Sequence, residues 1–447
     1  GGPMKALSHA IFPMVLFAGR AALAGTGAPP PAVAPVTVDE ATVVSAALTS
    51  HPAVIAAREE AAAADSSATA ADRARLPDVT ATARYARLSS IPARYRTFGD
   101  AVFPQLLDNL GARVELSLPL TDAFLGLAAA ARAAGHKAEA AQLDVDNVRA
   151  RVTYDARCAV LTYVSRAYAL KNAEEFLRVA EKQAQDLRAR VAAGTAARND
   201  ALPYETALDA ARSTVEAAKA DLATAEQAVF TFAPDLRGKA LEPLALAALA
   251  PSALPSAPGK ETPRVASIEA EHRAADATEA AAKWSQLPRI SAYAVGDVSA
   301  PSPRVFILSK LEAIPTWEAG VRLEWSLSQA TVGAARSSEA RHRAEALAAQ
   351  VANARRAVDA ERASAVAELQ AAERRIRLAD ARVARARELA KARQGERDAG
   401  TALPLNVVVA QADVLRAENE QVDAVVEAAL ALAKIDFADG RIGKALP

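Results

Sequence analysis

From Asp39 to Arg75 apolar residues recur at the three- and four-residue spacing of a helix, interrupted at His51-Pro52 and closed at Leu76-Pro77. The period then changes to two. Val79, Ala81, Ala83 and Tyr85 alternate with Asp78, Thr80, Thr82 and Arg84, which predicts a strand with unlike faces. A loop carrying Pro92, Gly99 and Pro104 follows, and then Ala112, Val114, Leu116 and Leu118 alternate with Arg113, Glu115 and Ser117. The two strands form a hairpin with a long connection. From Phe124 to Val191 no proline occurs, and one helix of that length would span about 100 Å at 1.5 Å per residue. Leu177, Ala180, Ala184, Leu187 and Val191 step along it by three and four, the seam of a coiled coil. The break at Ala193-Gly194-Thr195 ends this helix. A returning helix from near Asn199 to Phe232 holds the same stepping through Leu208, Ala211, Val215, Ala218, Leu222, Ala225 and Val229, and so packs antiparallel on its predecessor.

The pattern then restarts. Residues 234–263 carry six prolines and read as an irregular connector. A helix from Val265 to Gln286 closes at Leu287-Pro288, strands follow near Arg289 to Val295 and Gly320 to Leu327, and a second long helix runs from Val332 to Gln394 with Val366, Leu369, Ile376, Ala379, Val383 and Ala386 on its seam. A break at Ala399-Gly400-Thr401 precedes a last helix through Val408, Leu415 and Val422 to Phe437. Arg113-Val114-Glu115-Leu116-Ser117-Leu118 matches Arg322-Leu323-Glu324-Trp325-Ser326-Leu327, and the same 206 positions separate Gly194 from Gly400 and Asp200 from Asn406. This is a duplicated half-protein, because solenoid units repeat every 20 to 50 residues or so. The expected organisation is a first repeat over 39–233 with a hairpin at 78–120 and a tip at 194–195, the connector, a second repeat over 264–437 with a hairpin at 289–328 and a tip at 400–401, and a tail over 438–447. The fold class is mainly α with a small β part, built from tandem long helical hairpins and four strands.

Composition narrows the function. Fifty-three basic residues balance 53 acidic ones, so nothing in the charge recruits nucleic acid or an anionic surface. The 51% hydrophobic content rests on alanine, while aromatics are 4%, which suits long, closely packed helices better than a bulky core. At the N-terminus Lys5 precedes an apolar stretch from Ala10 to Ala18, and Ala22-Leu23-Ala24 is a small-x-small cleavage site before Gly25. Residues 1–24 therefore read as a secretory signal and 25–38 as a proline-rich segment of an exported protein. No later run of 18 apolar residues predicts a transmembrane helix. His9, His51, His136, His272 and His342 are scattered, and Cys158 is the single cysteine, read as an inert buried thiol. No HExxH, GxSxG, Walker loop or strand-turn-helix GxGxxG is present, so neither an enzyme nor a cofactor or metal site is expected.

The unlike faces of the hairpins fit a membrane barrel wall, with lipid on one side and water on the other, and they also fit a surface sheet. Export favours the barrel, as does the placement of Trp284, Trp317 and Trp325 in or beside the second hairpin. Four strands cannot close a barrel, since about 8 are the minimum and open edges are excluded from lipid. Three copies would supply about 12.

In the order, duplication and spacing of these pieces the chain resembles the TolC-type outer-membrane efflux proteins, the outer membrane factor family. The resemblance rests on the helix ending at Arg75-Leu76-Pro77, the paired hairpins, two very long helices, and two Gly-Thr tips followed by helices beginning Asp200-Ala201-Leu202 and Asn406-Val407-Val408. It implies a homotrimer in which a 12-stranded outer-membrane β-barrel continues into a long periplasmic α-barrel. It also implies a periplasmic adaptor, or membrane fusion protein, and an inner-membrane RND, ABC or MFS transporter as partners. The adaptor-docking tips would be Gly194-Thr195 and Gly400-Thr401, although any helical hairpin needs a glycine C-cap. In the family acids line the closed periplasmic entrance six residues after each tip glycine, and three further on in the second half. Here those positions hold Asp200, Asn406 and Val409, a departure that leaves one carboxylate. Asp200 also suits the bland role of an acid in a first helical turn. Arg397 and Asp398 would join a lock between subunits or lie solvated at the surface. The competing class is an exported or soluble coiled-coil scaffold or adaptor with no channel. A scaffold has no use for two hairpins of alternating polarity, and an adaptor would carry one helical hairpin between β-rich domains.

Overall fold

The computed structural model describes residues 36–98, 101–102, 105–249, 262–304, 311–399, 401 and 404–442. The signal segment 1–24 and the tip residue Gly400 lie outside them. In chain order the elements are β1 (Val36–Thr37), α1 (Glu40–Ser50), α2 (Pro52–Arg73), β2 (Asp78–Arg87), β3 (Thr97–Phe98), β4 (Ala101–Val102), β5 (Asp108–Pro119), α3 (Leu120–Phe124), α4 (Gly126–Ala192), α5 (Arg198–Phe232), β6 (Leu241–Glu242), α6 (Pro263–Trp284), β7 (Arg289–Ala300), β8 (Ile314–Glu324), α7 (Leu327–Asp398) and α8 (Pro404–Ala438).

The helices begin where local chemistry starts them. Pro52 and Pro263 open α2 and α6, where a missing N–H costs nothing. Ser326 caps α7 by accepting from the Gln329 N–H at 3.4 Å, so this helix starts five residues before the expected Val332. At 67 and 72 residues α4 and α7 are each about 100 Å long. Below mid-length the helices form one layer in the order α5, α4, α8, α7; above it the order is α2, α4, α6, α7. Two long helices therefore run through both tiers, and shorter ones fill the gaps. The largest apolar cluster lies where α1, α4, α5 and α8 meet. Its fully buried members include Val43, Val54, Leu161, Tyr163, Val164 and Val229. Beside it Arg157 bridges Glu40 at 2.8 Å and Asp436 at 3.5 Å, and buried Asp439 is held by Arg362 at 2.7 Å and by Arg441.

The strands β2, β5, β7 and β8 form one antiparallel sheet in that order, so the two hairpins are joined along β5 and β7. One row reads Val79, Leu116, Ala294, Ala319, and the adjacent row on the opposite face reads Thr80, Glu115, Val295, Glu318. Both strands of the second hairpin differ from the sequence reading, and β7 runs on to Ala300, five residues past the expected Val295. β8 begins at Ile314, six residues before the expected Gly320, and ends at Glu324. It tolerates Pro315 and Gly320 because it is an edge strand, where a missing ladder donor faces outward. The connector is also less irregular than expected: β6 pairs in parallel with β1 and ties the connector to the N-terminal segment. A two-residue strand leaves no periodic signal to read.

Candidate functional site

The sheet separates two chemistries. On one face, β2 from Val79 to Tyr85, β5 from Leu110 to Leu118, β7 from Ile290 to Ala300 and β8 from Pro315 to Leu323 present apolar residues, glycine or proline at every second position. The face is uncovered, with Val79, Val114, Val321 and Leu323 exposed and Trp317 77% exposed. At its far end the Arg87–Asp108 ion pair, 2.9 Å, closes the apolar run. The eight residue steps from Trp317 in β8 to Trp325 just past its end span about 26 Å of extended chain, close to the roughly 25 Å apolar band of a membrane barrel. Trp325 is anchored by a hydrogen bond from its indole nitrogen to the Gln286 carbonyl at 3.3 Å.

The opposite face carries Thr80, Thr82, Arg84, Arg113, Glu115, Asp297, Glu318 and Arg322. Tyr293 lies across Gly320 on this face, and the Arg322 guanidinium stacks 5.0 Å from its ring centre, so the missing side chain of Gly320 is filled by a neighbour. Arg289 opens β7 on the polar face and lines a pocket with Ser285 and Arg336. Both of those residues also line a groove of about 930 Å³ between α4, α6 and α7, floored by alanines and rimmed by Lys137, Glu271 and Arg343. The polar face of the sheet thus runs on into the grooved side of the helical layer. β2 and β8 leave both edges of the sheet without a partner strand among the described residues.

At the opposite end of the helices lie the two tips. Gly194 has φ +73°. Thr195 N–H donates to the Arg190 carbonyl at 2.9 Å and Gly194 N–H to the Val191 carbonyl at 3.0 Å, the paired bonds of a Schellman ending. Thr401 repeats this 206 residues on: its N–H and hydroxyl both donate to the Glu396 carbonyl, at 2.9 and 3.0 Å. Asp200 is exposed, and its carboxylate accepts from the Ala197 N–H at 3.2 Å. Ala197 has no side-chain acceptor, so this is the reverse half of a capping box alone. Asn406 is exposed and Val409 is half exposed.

Arg397 and Asp398 pair with each other at 2.8 Å. Burial works against the Arg397 charge, but the bond to Asp398 and the nearness of the Tyr204 hydroxyl outweigh it and raise its pKa above the ordinary arginine value. The same bond from Arg397 lowers the Asp398 pKa, with help from Arg190 of the other tip. The two tips therefore lie side by side. Tyr204, which sequence reasoning did not single out, is buried in the α4/α5 seam, and its hydroxyl sits next to Arg397 without a well-aligned hydrogen bond. Its position three and four residues from Ala201 and Leu208 was the available signal. Among the described residues no acidic, histidine or cysteine cluster could hold a metal, and no helix is long and apolar enough to cross a membrane.

The family model described as outer membrane efflux protein matches residues 43–233 and 254–441, most of both repeats. No curated protein matches the chain. Among solved structures it is similar to CusC, studied for folding and transmembrane channel formation, with 17% identity over 90% of this chain and 92% of that one and a TM-score of 0.79. The Campylobacter jejuni outer membrane channel CmeC is 14% identical over 89% of this chain and 84% of its own, with a TM-score of 0.78. The Vibrio cholerae outer membrane protein VceC is 16% identical over 89% and 95%, with a TM-score of 0.75. At such identities these likenesses speak for the fold. The chain belongs to the outer membrane efflux protein family, and its fold is of the TolC type.

Proposed function

We propose that three copies of this chain close into an outer-membrane channel, the passive exit duct for substrates delivered by an inner-membrane pump of the RND, ABC or MFS class through a periplasmic adaptor. The observation that carries this reading is the sheet: four strands with one face apolar and exposed, the other charged, and two edges that have no partner strand among the described residues. Open edges are not tolerated in lipid, so a lipid-facing sheet of four strands must pair β8 of one copy with β2 of the next. Twelve strands make an even count inside the known range. The helical layer, whose grooved side continues the polar face, then forms the wall of the periplasmic extension. Adaptor hairpins would dock at the Gly194-Thr195 and Gly400-Thr401 tips. The protein carries out no reaction in this reading and takes its specificity from the pump.

The test compares the two faces. Leu116→Arg places a charge toward lipid at an expected cost of roughly 2 to 4 kcal/mol near the midplane, whereas Glu115→Gln on the lumen side leaves membrane assembly intact. In detergent the wild-type assembly should have three times the chain mass and conduct in planar bilayers. Equal behaviour of the two variants, or a stable monomer, would overturn the reading.

A further inference from the structure

The groove of about 930 Å³ lies where α6 runs between α4 and α7, floored by Ala274, Ala275, Ala281, Ala282 and Ala340. Close helix packing would account for the alanines, but close packing leaves few voids larger than a water molecule. This opening instead has the size of a small-molecule site, about 300 to 1,000 Å³. At its upper end it joins a second pocket of about 230 Å³, in which Arg336 stands with Arg289, Ser328 and Gln329. Arg289 is held by Asp122 at 3.3 Å. Arg336 is exposed and has no ion pair or hydrogen bond among the described residues.

The charges of the groove are sorted by height. α4 and α7 descend from the sheet and α6 rises to it. The Ser267 hydroxyl donates to the Ala140 carbonyl at 3.3 Å, which fixes α6 against α4. Lys137 precedes Ala140 by three residues and Glu271 follows Ser267 by four, so the two stand within about 2 Å of one level and offset each other. A Cβ on Gly333 would meet the Ser285 hydroxyl at 3.2 Å, so α7 passes Ser285 there, and Arg336 lies three residues lower. That puts Arg336 about 17 Å above the level of Lys137 and Glu271, with the alanine floor between. Glu339 and Arg343 bond each other at 2.8 Å. Asp144, at the lower end, accepts from the Asn147 amide at 3.2 Å. The groove is therefore positive at the top, apolar below that, neutral at the next charged level and acidic at the bottom.

We propose that this groove binds a slender amphiphile with one anionic end, its charge at Arg336 beside Arg289 and its apolar body laid along the alanines toward Lys137 and Glu271. Charge complementarity selects that occupant, because the unmatched base stands where the apolar floor begins. A cationic head meets acids already offset by Lys137 or Arg343, or it meets Asp144, from which its chain would cross a charged level. The groove opens on a face of the helical layer, and α6 is not an edge helix, so closing a ring leaves it open. In the channel reading that face is the lumen, and an anionic amphiphile in transit reaches the site. The inference rests on that reading for access alone, since the groove is built by one chain.

The experiment uses the full chain in non-ionic detergent and a hexadecanoate carrying a diazirine on its chain, with the matching primary amine and alcohol as controls. After illumination, mass spectrometry of the digest should place the acid on peptides of α4, α6 and α7 that line the groove, and excess unlabelled hexadecanoate should compete it away. The amine and the alcohol should label these peptides less. Arg336→Gln should weaken the competed labelling about tenfold, the worth of one hydrogen bond to a charged group. Ala281→Leu, which fills the floor, should remove it; if that variant does not assemble, the exposed Arg336 position decides. Labelling of the groove that is not competed, or that is equal for acid and amine, or that is unchanged in Arg336→Gln, overturns the site. A conducting trimer without competed groove labelling overturns the site and leaves the channel reading standing. Competed groove labelling on a monomer that does not conduct overturns the channel reading and leaves the site.

Discussion

The two coiled coils of this chain descend to tips of the same construction, yet different forces hold them. In α4 and α5 the tipward seam is apolar and bulky: Phe176, Leu177 and Leu187 close around Ala180, Ala184, Tyr204, Leu208 and Ala211. Two ion pairs cross it among the described residues, Arg188–Glu205 at 3.0 Å and Arg166–Asp221 at 3.8 Å. In α7 and α8 the buried tipward positions are small, Ala372, Ala379 and Val383 on α7 and Val407, Ala410, Ala417 and Ala424 on α8. Charges flank them. Glu368–Lys434, Arg375–Glu427 and Arg382–Glu420 are three rungs of a ladder, each seven residues from the next on both helices, and Arg387–Glu418 and a hydrogen bond from Gln421 to Asp380 add to it. Exposed pairs are worth about 0.2 to 1 kcal/mol each, while one fully buried leucine contributes roughly 1.5 to 3. The first coil is held by burial. The second, with small side chains that would permit sliding, has its register set by charge.

The widest gap between the coils should come from a single apolar truncation. Leu208→Ala removes a side chain that is 3% exposed, at an expected cost of about 2 to 5 kcal/mol. Hydrogen exchange should speed up in the tipward halves of α4 and α5 and stay unchanged in α7 and α8. Arg382→Ala, which removes one rung, should cost under about 1 kcal/mol. If the two substitutions loosen their coils equally, the contrast is wrong.

A second experiment addresses register. Glu427→Arg with Glu420→Arg sets like charges on two adjacent rungs, where opposite charges now pair, and should destabilise the α7/α8 coil by roughly 1 kcal/mol per rung at low salt. Adding Arg375→Glu and Arg382→Glu restores opposite pairing and should restore exchange protection. High salt should shrink both effects, because exposed charges are screened within about 10 Å. A loss that is not rescued would mean that these arginines matter for packing along their stems rather than for charge.

Much of this organisation could be read from the chain, and what could not was long-range. The alternation from Val79 to Tyr85 gave two faces because a strand repeats every two residues. The 206-residue offset from Gly194 to Gly400 located both tips. The pairing of β5 with β7 joins residues such as Leu116 and Ala294, and no local period encodes a partner so distant. The charge ladder is intermediate: the seven-residue spacing of Glu368, Arg375 and Arg382 is visible, but which acid meets which base depends on the antiparallel register set at the tip. Asp200 shows the limit at the candidate site. A carboxylate six residues past a tip glycine reads as an entrance residue or as a first-turn acid, and in this structure its bond is the local one to the Ala197 N–H.

Acid should separate the coils by a smaller amount. Glu368 is bonded by Lys434 and Ser364, and these hydrogen bonds lower its pKa below the ordinary 4.5. A depressed carboxylate pKa contributes stability that is fully present above the unfolded value and is lost as pH falls through the folded one. Protection in the upper part of α7 and α8 should therefore decline below about pH 4.5, once intrinsic exchange rates are divided out. The Glu368 side chain is 48% exposed, so solvent screening keeps the effect under about 1 kcal/mol. Lys434→Met combined with Ser364→Ala should abolish the excess pH dependence of this segment, and its persistence would assign the titration to another group.

The finest distinction lies just past the tips, where the halves differ in charge at corresponding positions. Asp200 follows the first tip and Asn406 the second, and Val409 stands three residues farther on, so each chain brings one carboxylate to a place where the family resemblance implies more. Like charges gathered at a pore mouth raise the local cation concentration and bind multivalent cations, so a ring with one carboxylate per subunit should be weakly selective. Asn406→Asp with Val409→Asp adds two acids per chain at solvent-exposed positions, so folding should be unaffected. Cation selectivity and block by trivalent cations in planar bilayers should both rise. Asp200→Asn should act in the opposite direction and less, because that carboxylate is also engaged by the Ala197 N–H. If the double variant conducts with unchanged selectivity, positions 406 and 409 do not line the constriction, and the entrance of this channel is built from other residues.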